Sequence, residues 1–463
     1  MTDQAKLADQ PEDETEDDYA LRDRVVADAV DATEAGDKAR LIEVLEPLHP
    51  ADIADLLEQV DADDRTAMLD LAGDYIDGEI LTEIDEDIRD EVVEALEPDV
   101  LAVAVRELES DDVVDLIEGL DQERRDEIID VLDVVDRVAV EQALAYPENS
   151  AGRLMQRETV IAPAHWSVGD AIDHLRAHDD LPEQFYHVVL VDPRHRPTDY
   201  VTLGRLMSSR REVRLSDIAE ESFRTFDVTE DEGDVAYAFN QYHLISAPVV
   251  DEDGRLVGVI TIDDAMTVLD EEHEEDVLRL GGVGDESLSN TTFEIVRRRF
   301  PWLAVNLVAA NIAASVISVF EDVLAAVVVL AVLMPIVASM GGNAGTQSMT
   351  VAVRALATRD LTSSNALRVI RREALAGFLN GTLFAILMGT IAYLWFGQPV
   401  IGVVIGVAMI VNLFIAGLSG VLVPLALDKA GVDPALASGT FVTTITDVIG
   451  FFAFLGLASL VLL

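Results

Sequence analysis

Apolar positions along the chain fall into two regimes that meet near residue 300. Downstream of Trp302 they form long runs, at 302–320, 323–353, 374–396, 399–427 and 434–463. At 1.5 Å per helical residue each run is long enough to cross a hydrocarbon core of about 30 Å, so five membrane-spanning helices are predicted. The first four runs contain no Asp, Glu, Lys or Arg; the fifth contains one charge, Asp447.

Upstream the apolar residues are spaced rather than massed. Val60, Ala72, Ile84, Leu96, Leu108, Leu120 and Leu132 recur every twelve residues, and an acid follows each of them except Ala72. Twelve residues make one short helix plus a turn, and two such units make a helical hairpin of the size that stacks into solenoids. Residues 21–145 are therefore predicted to form a small α-superhelix. From Tyr146 the pattern changes. Val188-Val-Leu-Val-Asp192, Pro248-Val-Val-Asp251 and Leu256-Val-Gly-Val-Ile-Thr261 read as buried strands, the last entering a helix at Asp263-Asp264, which predicts two α/β units within 146–276. An acidic helix at Asp270–Asp276, a Gly281-Gly282 break and a connecting helix over 277–300 lead to the membrane runs. Residues 1–20 have no apolar periodicity and read as a disordered acidic tail. The expected fold is thus a multidomain membrane protein with an α-superhelix, an α/β pair and an all-α transmembrane domain over 301–463.

Charge sharpens this division. The chain carries 87 Asp and Glu against 32 Lys and Arg, and residues 301–463 hold only seven of those acids and six of the bases. The remaining 80 acids and 26 bases crowd into the first 300 residues, a field that repels nucleic acid and concentrates cations. All but three of the bases are arginine, and we read the acid excess as adaptation to high salt, in which most carboxylates are solvated surface. The absence of cysteine excludes disulfides, thiolate metal sites and cysteine nucleophiles. No nucleophile with a base partner and no phosphate-cradling Gly loop points to an enzyme. No protein partner is deducible from the pattern, and residues 1–20 lack the basic-then-apolar order of a signal peptide. Arg297-Arg-Arg299 before the first run, with Arg354, Arg359, Arg368, Arg371 and Arg372 between the second and third, fix orientation by the positive-inside rule. The soluble part is then cytoplasmic, Glu321 and Asp322 lie outside, and the C-terminus of this cell-membrane protein lies outside.

A carboxylate at membrane depth costs at least a few kcal/mol, so an intramembrane Asp447 without a basic partner reads as functional, with a cation as its partner. Thr440, Thr443, Thr444 and Asp447 recur at i, i+3, i+4, i+7 and share one helix face. In the second run Ser339, Asn343 and Gln347 form another stripe among glycines. The alternative for both stripes is interhelical hydrogen bonding with close helix packing. An oxygen-only donor set favours Mg²⁺ over Co²⁺ or Mn²⁺, and a regulated anion channel would need a basic or amide-lined pore instead.

The order of these parts resembles the MgtE family of magnesium channels over essentially the whole chain after residue 20. The resemblance rests on Tyr146-Pro-Glu-Asn-Ser-Ala-Gly-Arg-Leu-Met155, Asp111-Asp-Val-Val-Asp115, the stretch from Pro335 through Gly341-Gly-Asn-Ala-Gly-Thr-Gln-Ser348, Arg354-Ala-Leu-Ala357, and Asp433-Pro-Ala-Leu436 followed by Thr444-Ile-Thr-Asp-Val-Ile-Gly450. The α/β pair is similar to tandem CBS domains, closely over Ser246–Asp264. In the first unit Thr202-Leu-Gly-Arg205 stands where the family's Thr-x-x-Asp would contact a nucleotide ribose, so ATP, as a candidate regulator, would depend on Asp264. The resemblance implies a homodimer whose pore is lined by the second and fifth spans, with Asp447 of both subunits holding Mg²⁺ beside Thr443 and Asn343. Gly439 stands where some members carry Asn, and that side-chain contact is lost. It further implies closure by cytoplasmic Mg²⁺ bound at Asp111, Asp115, Asp264, Glu272, Glu275 and Asp276. Two other family acid positions fall on Thr267 and His243.

Overall fold

A computed structural model describes residues 21–178, 181–182, 185–220, 223–283 and 292–462. The expectation for the tail at 1–20 lies outside them. Two units divide after Asp270, and each is described by itself.

The first unit begins with ten short helices, from Asp23–Glu34 to Val134–Ala143. The twelve-residue period marks where helices end. Val60, Ile84 and Leu132 directly follow the helices Pro50–Gln59, Gly78–Glu83 and Gln122–Val131, and all three side chains are buried. The acid behind each apolar residue then starts the next helix: Asp61 accepts from the Asp64 amide, Asp121 from that of Arg124, and Asp133 from those of Val135 and Asp136. A short carboxylate at this position satisfies amides that have no partner within the helix. Arginines close the opposite ends. Arg65 donates to the carbonyls of Leu57 and Val60, and Arg125 to those of Ile117, Glu118 and Leu120. A planar fork of five donors reaches several carbonyls at once, which a single ammonium does not, and this gives the arginine excess a structural use beyond charge.

Tyr146 lies over Gly152, where a Cβ would come within 2.6 Å of the ring, so glycine there lets the superhelix join the α/β pair. Strands β1 (Ile161–Pro163), β2 (His187–Val191) and β3 (Pro197–Thr202) form one sheet, with β1 parallel and β3 antiparallel to β2. Strands β4 (Phe226–Asp227), β5 (Ser246–Val250) and β6 (Leu256–Thr261) repeat that topology, and the two hairpins share an irregularity at the same register. The first unit, which departs in sequence, therefore keeps the fold of the second. Equivalent residues His187 and Ser246 meet through Nδ1 and Oγ. Burial pushes the imidazole down to about 4, so it stays neutral.

The second unit holds five helices long and apolar enough to span a membrane: Thr292–Val319, Val329–Ala357, Ala366–Phe396, Pro399–Lys429 and Pro434–Leu462. Their limits differ from those expected. Within 277–300, expected as a connecting helix with a break at Gly281-Gly282, a helix that starts at Ile262 ends at Gly281, 284–291 lie outside the described residues, and Thr292 already begins the first span. The second span starts at Val329 rather than 323, after a separate short helix Glu321–Ala326. Three successive β-branched residues, Val327 to Val329, sit at that break, where lost side-chain freedom weakens helix continuity. The third span begins at Ala366, so Arg368, Arg371 and Arg372 ride on the helix itself. The fourth span is the centre of the bundle, with 61% of its apolar window buried against 6% for the first and third, and it packs on the second, third and fifth.

Candidate ion pathway and acidic cluster

In the membrane unit the second and fifth spans meet through small residues. A Cβ on Gly345 would come within 2.6 Å of Val442, and one on Gly342 would lie 3.9 Å from the Thr443 methyl. Gly341, Gly345 and Met349 form the buried side of the second span, whereas Ser339, Asn343 and Gln347 on the other side are exposed in the single chain. Asn343 Nδ2 donates to Ser339 Oγ at 3.4 Å, a bond within the stripe itself. Asp447 is half-buried on the fifth span, and among the described residues no Lys or Arg pairs with it. The threonine face divides. Thr443 donates to the Gly439 and Thr440 carbonyls at 2.9 and 3.1 Å, and Thr444 to that of Thr440 at 2.6 Å, all within the helix. Thr440 donates instead to Asn306 Oδ1 of the first span at 2.9 Å, so it serves as the interhelical bond that was the alternative reading.

Where the second span ends and the fifth begins lies a feature that sequence reasoning missed. Leu280 packs against Met349 and Val353 of the second span and Ala435 and Val442 of the fifth. Arg279 pairs with Asp433 at 2.9 Å and with Glu275 on its own helix. Asp276 is pushed up, first by burial and then by Asp433. Glu272 is exposed. Glu275, expected as a metal ligand, is thus in an ion pair.

In the first unit the helix Ser110–Glu118 faces the start of the helix that begins at Ile262, and carboxylates gather there. Burial comes first in raising every one: Glu109 and Asp112 are each pushed up to about 7, Asp264 to about 6, and Asp111 well above its ordinary range. Asp264 charge is the second cause for both Asp111 and Asp112, and Glu158 for Glu109. Thr261 donates to Asp264 and holds it back. Asp115, expected as a ligand beside Asp111, is exposed and bound to Arg89 at 2.5 Å. The structure therefore joins Asp111 and Asp264, adds Glu109 and Asp112, and leaves Asp115 at the exposed edge, paired with Arg89 but still close enough for its charge to help raise Asp112. Among the described residues no three such side chains are already gathered at metal-binding distance. A signal for Glu109 was available: Asp61, Asp121 and Asp133 cap their helices, whereas the longer Glu97 and Glu109 do not, which leaves the Glu109 carboxylate to project. Gln156 of the α/β pair donates to it.

These shifts fix a sign. In the unfolded chain such acids lose their protons near 4, and the folded unit keeps them to about 7, so stability falls as pH rises through that window. The melting temperature of the full chain in EDTA is expected to drop across it, and added Mg²⁺ to flatten the slope; a melting temperature indifferent to pH would contradict the cluster. A cavity of about 610 Å³ lies elsewhere, between hairpin turns, lined by Pro193, Arg194, His195, Arg196, Asp253 and Arg255. Its residues are all exposed and mostly basic, the wrong sign for a cation site.

Comparison with known proteins bears on the whole chain. The family model for divalent cation transporters, MgtE, matches residues 334–457, that for the MgtE intracellular N domain matches 48–149, and that for CBS domains matches 215–271. A magnesium transporter MgtE of Thermus thermophilus is 32% identical over 449 residues, which cover 96% of this chain and 99% of that protein. The chain belongs to the MgtE family of magnesium transporters. Its relative in Enterococcus faecalis is 34% identical, covering 69% of this chain and 71% of that protein. Among solved structures, the cytosolic domain of the Mg²⁺ channel MgtE in complex with ATP is 29% identical and covers 53% of this chain and all of that one, with a TM-score of 0.48. Membership makes this MgtE chain a membrane transport protein, and the divalent cation transporter model matches over the second to fifth spans.

Proposed function

We propose that this MgtE chain works as a homodimer in the cytoplasmic membrane, with the soluble domains inside and the C-terminus outside, and conducts Mg²⁺ along a path between the second and fifth spans. The observation that carries this is a half-buried Asp447 that no Lys or Arg pairs with among the described residues, together with a stripe of Ser339, Asn343 and Gln347 on the second span left exposed by a single chain. A second subunit facing that stripe would enclose it. Mg²⁺ sheds water reluctantly, so one carboxylate per subunit with Thr443 and Asn343 suits a largely hydrated ion. In proteoliposomes the reversal potential should follow the Mg²⁺ gradient; a potential that follows chloride would instead identify a CBS-regulated anion channel. Co²⁺ and Mn²⁺ are the rival cargoes, and the absence of His and Cys from the path favours Mg²⁺.

The same reading assigns closure to cytoplasmic Mg²⁺. Glu109, Asp111, Asp112 and Asp264 form an oxygen-only donor set whose members raise one another's affinity for positive charge, which suits a hard divalent ion. Asp264 opens the helix Ile262–Gly281 and Arg279 and Leu280 close it, so one element carries both an ion contact and the pore-end contact.

Nucleotide modulation would depend on Asp264. Arg205 pairs with Glu220 at 3.4 Å, and Asp264 is engaged by Thr261 among other acids. Titration calorimetry of the full chain with ATP is expected to give at most one site per chain, lost in Asp264→Ala. Two equivalent sites would contradict the reading of position 205.

A further inference from the structure

Asn412 lies in the middle of the fourth span and has no exposed surface. Its Nδ2 donates to the Val337 carbonyl of the second span at 2.7 Å, while its Oδ1 is buried without a hydrogen-bond partner. Glycines on two other helices flank the carboxamide. A Cβ on Gly341 of the second span would lie 2.3 Å from Nδ2, and one on Gly450 of the fifth would lie 2.9 Å from Nδ2 and 3.0 Å from Oδ1. One amide thus occupies the junction of three spans, and two of those are the ones that flank the ion path.

Burial of an amide oxygen with nothing better than glycine Cα–H groups around it is costly, because such contacts are weak substitutes for a full hydrogen bond. A side chain chosen only to fill the space would be apolar. What an amide adds is direction: its donor fixes the height of the second span against the fourth, and its flat faces admit two backbones at glycine distance. Gly341 is two residues from Asn343, and Gly450 is three residues from Asp447. A slip at this junction would move both polar groups of the path relative to each other.

We infer that Asn412 is a positioning residue that sets the register of the second span against the fifth, and thereby the discrimination of Mg²⁺ from larger divalent ions. The inference rests on the Asp447 path proposed above.

The test uses the full chain in proteoliposomes, with Mg²⁺ and Ca²⁺ fluxes measured on the same folded, size-checked preparations. Asn412→Ala and Asn412→Leu should lower the Mg²⁺ over Ca²⁺ flux ratio between about threefold and thirtyfold, the range an interhelical hydrogen bond is worth in a membrane. Gly341→Ala alone should be strongly impaired. Combined with Asn412→Ala it should recover folded protein and total flux, since the amide that met the new Cβ is gone, but not the ratio. Equal loss for both ions, an unchanged ratio, or failure of all these variants to fold would overturn the inference by making Asn412 a packing residue. Failure of the underlying path would show separately, as normal Mg²⁺ flux in Asp447→Ala.

Discussion

Asp447→Ala is expected to reduce Mg²⁺ uptake to background in a host that requires the transporter, while the protein still inserts and purifies at wild-type levels. The argument is one of magnitude. A carboxylate and a divalent ion about 4 Å apart attract by roughly 8 kcal/mol at an effective dielectric near 20, and hydroxyl and amide dipoles on the same path supply only a small part of that. Membrane insertion, by contrast, becomes easier once the charge is removed. Asp447→Asn keeps the shape and loses the charge, so it should fail nearly as badly; strong uptake by the Asn variant would mean that shape, rather than charge, holds the ion. Thr443→Val should cost far less, because its hydroxyl already donates within the helix. Thr440→Val should alter packing on the first span more than flux, given its bond to Asn306. Wild-type uptake in Asp447→Ala would remove the proposed path altogether.

Asp447 was legible because a charge inside an apolar run has few innocent explanations, and the five spans were legible for the same reason of contrast. The acidic cluster was legible only in part. Asp111 and Asp264 could be named as candidates by motif, but composition hides which acids gather when 87 share the chain, and the pairing of Asp115 with Arg89 depends on the superhelix winding. Periodicity found the helix ends without saying that the acids there were caps. The contact of Arg279 with Asp433 bridges 154 residues of sequence, and no local pattern encodes it. Asn412 is the extreme case. Within its own run it is one polar residue in a helix, and its meaning comes from glycines on two other helices.

The proposed closure by cytoplasmic Mg²⁺ gives the second large effect. Millimolar Mg²⁺ is expected to protect the chain from protease at Gly281 and Gly282, where the helix from Ile262 ends and Gly282 takes a positive φ of 72°. The experiment belongs in molar KCl, where screening acts within about 3 Å and ordinary surface repulsion is already quenched. Any remaining response must then come from bound ions. Asp111→Asn with Asp264→Asn should flatten it from both ends, since the change removes the repulsion that opens the cluster without Mg²⁺ and the ligands that close it with Mg²⁺. The channel should conduct yet lose most of its dependence on cytoplasmic Mg²⁺, and deletion of residues 1–145 should do the same. Asp115→Asn should weaken the response far less than that pair, because the carboxylate is exposed and paired with Arg89 and reaches the cluster through its charge on Asp112 alone. Asp13→Asn with Glu14→Gln in the tail should do nothing. These two controls remove the same sort of charge from the same acidic chain, so a response that falls equally in every variant would show that bulk charge, and not ions bound at Asp111 and Asp264, sets the state of the gate.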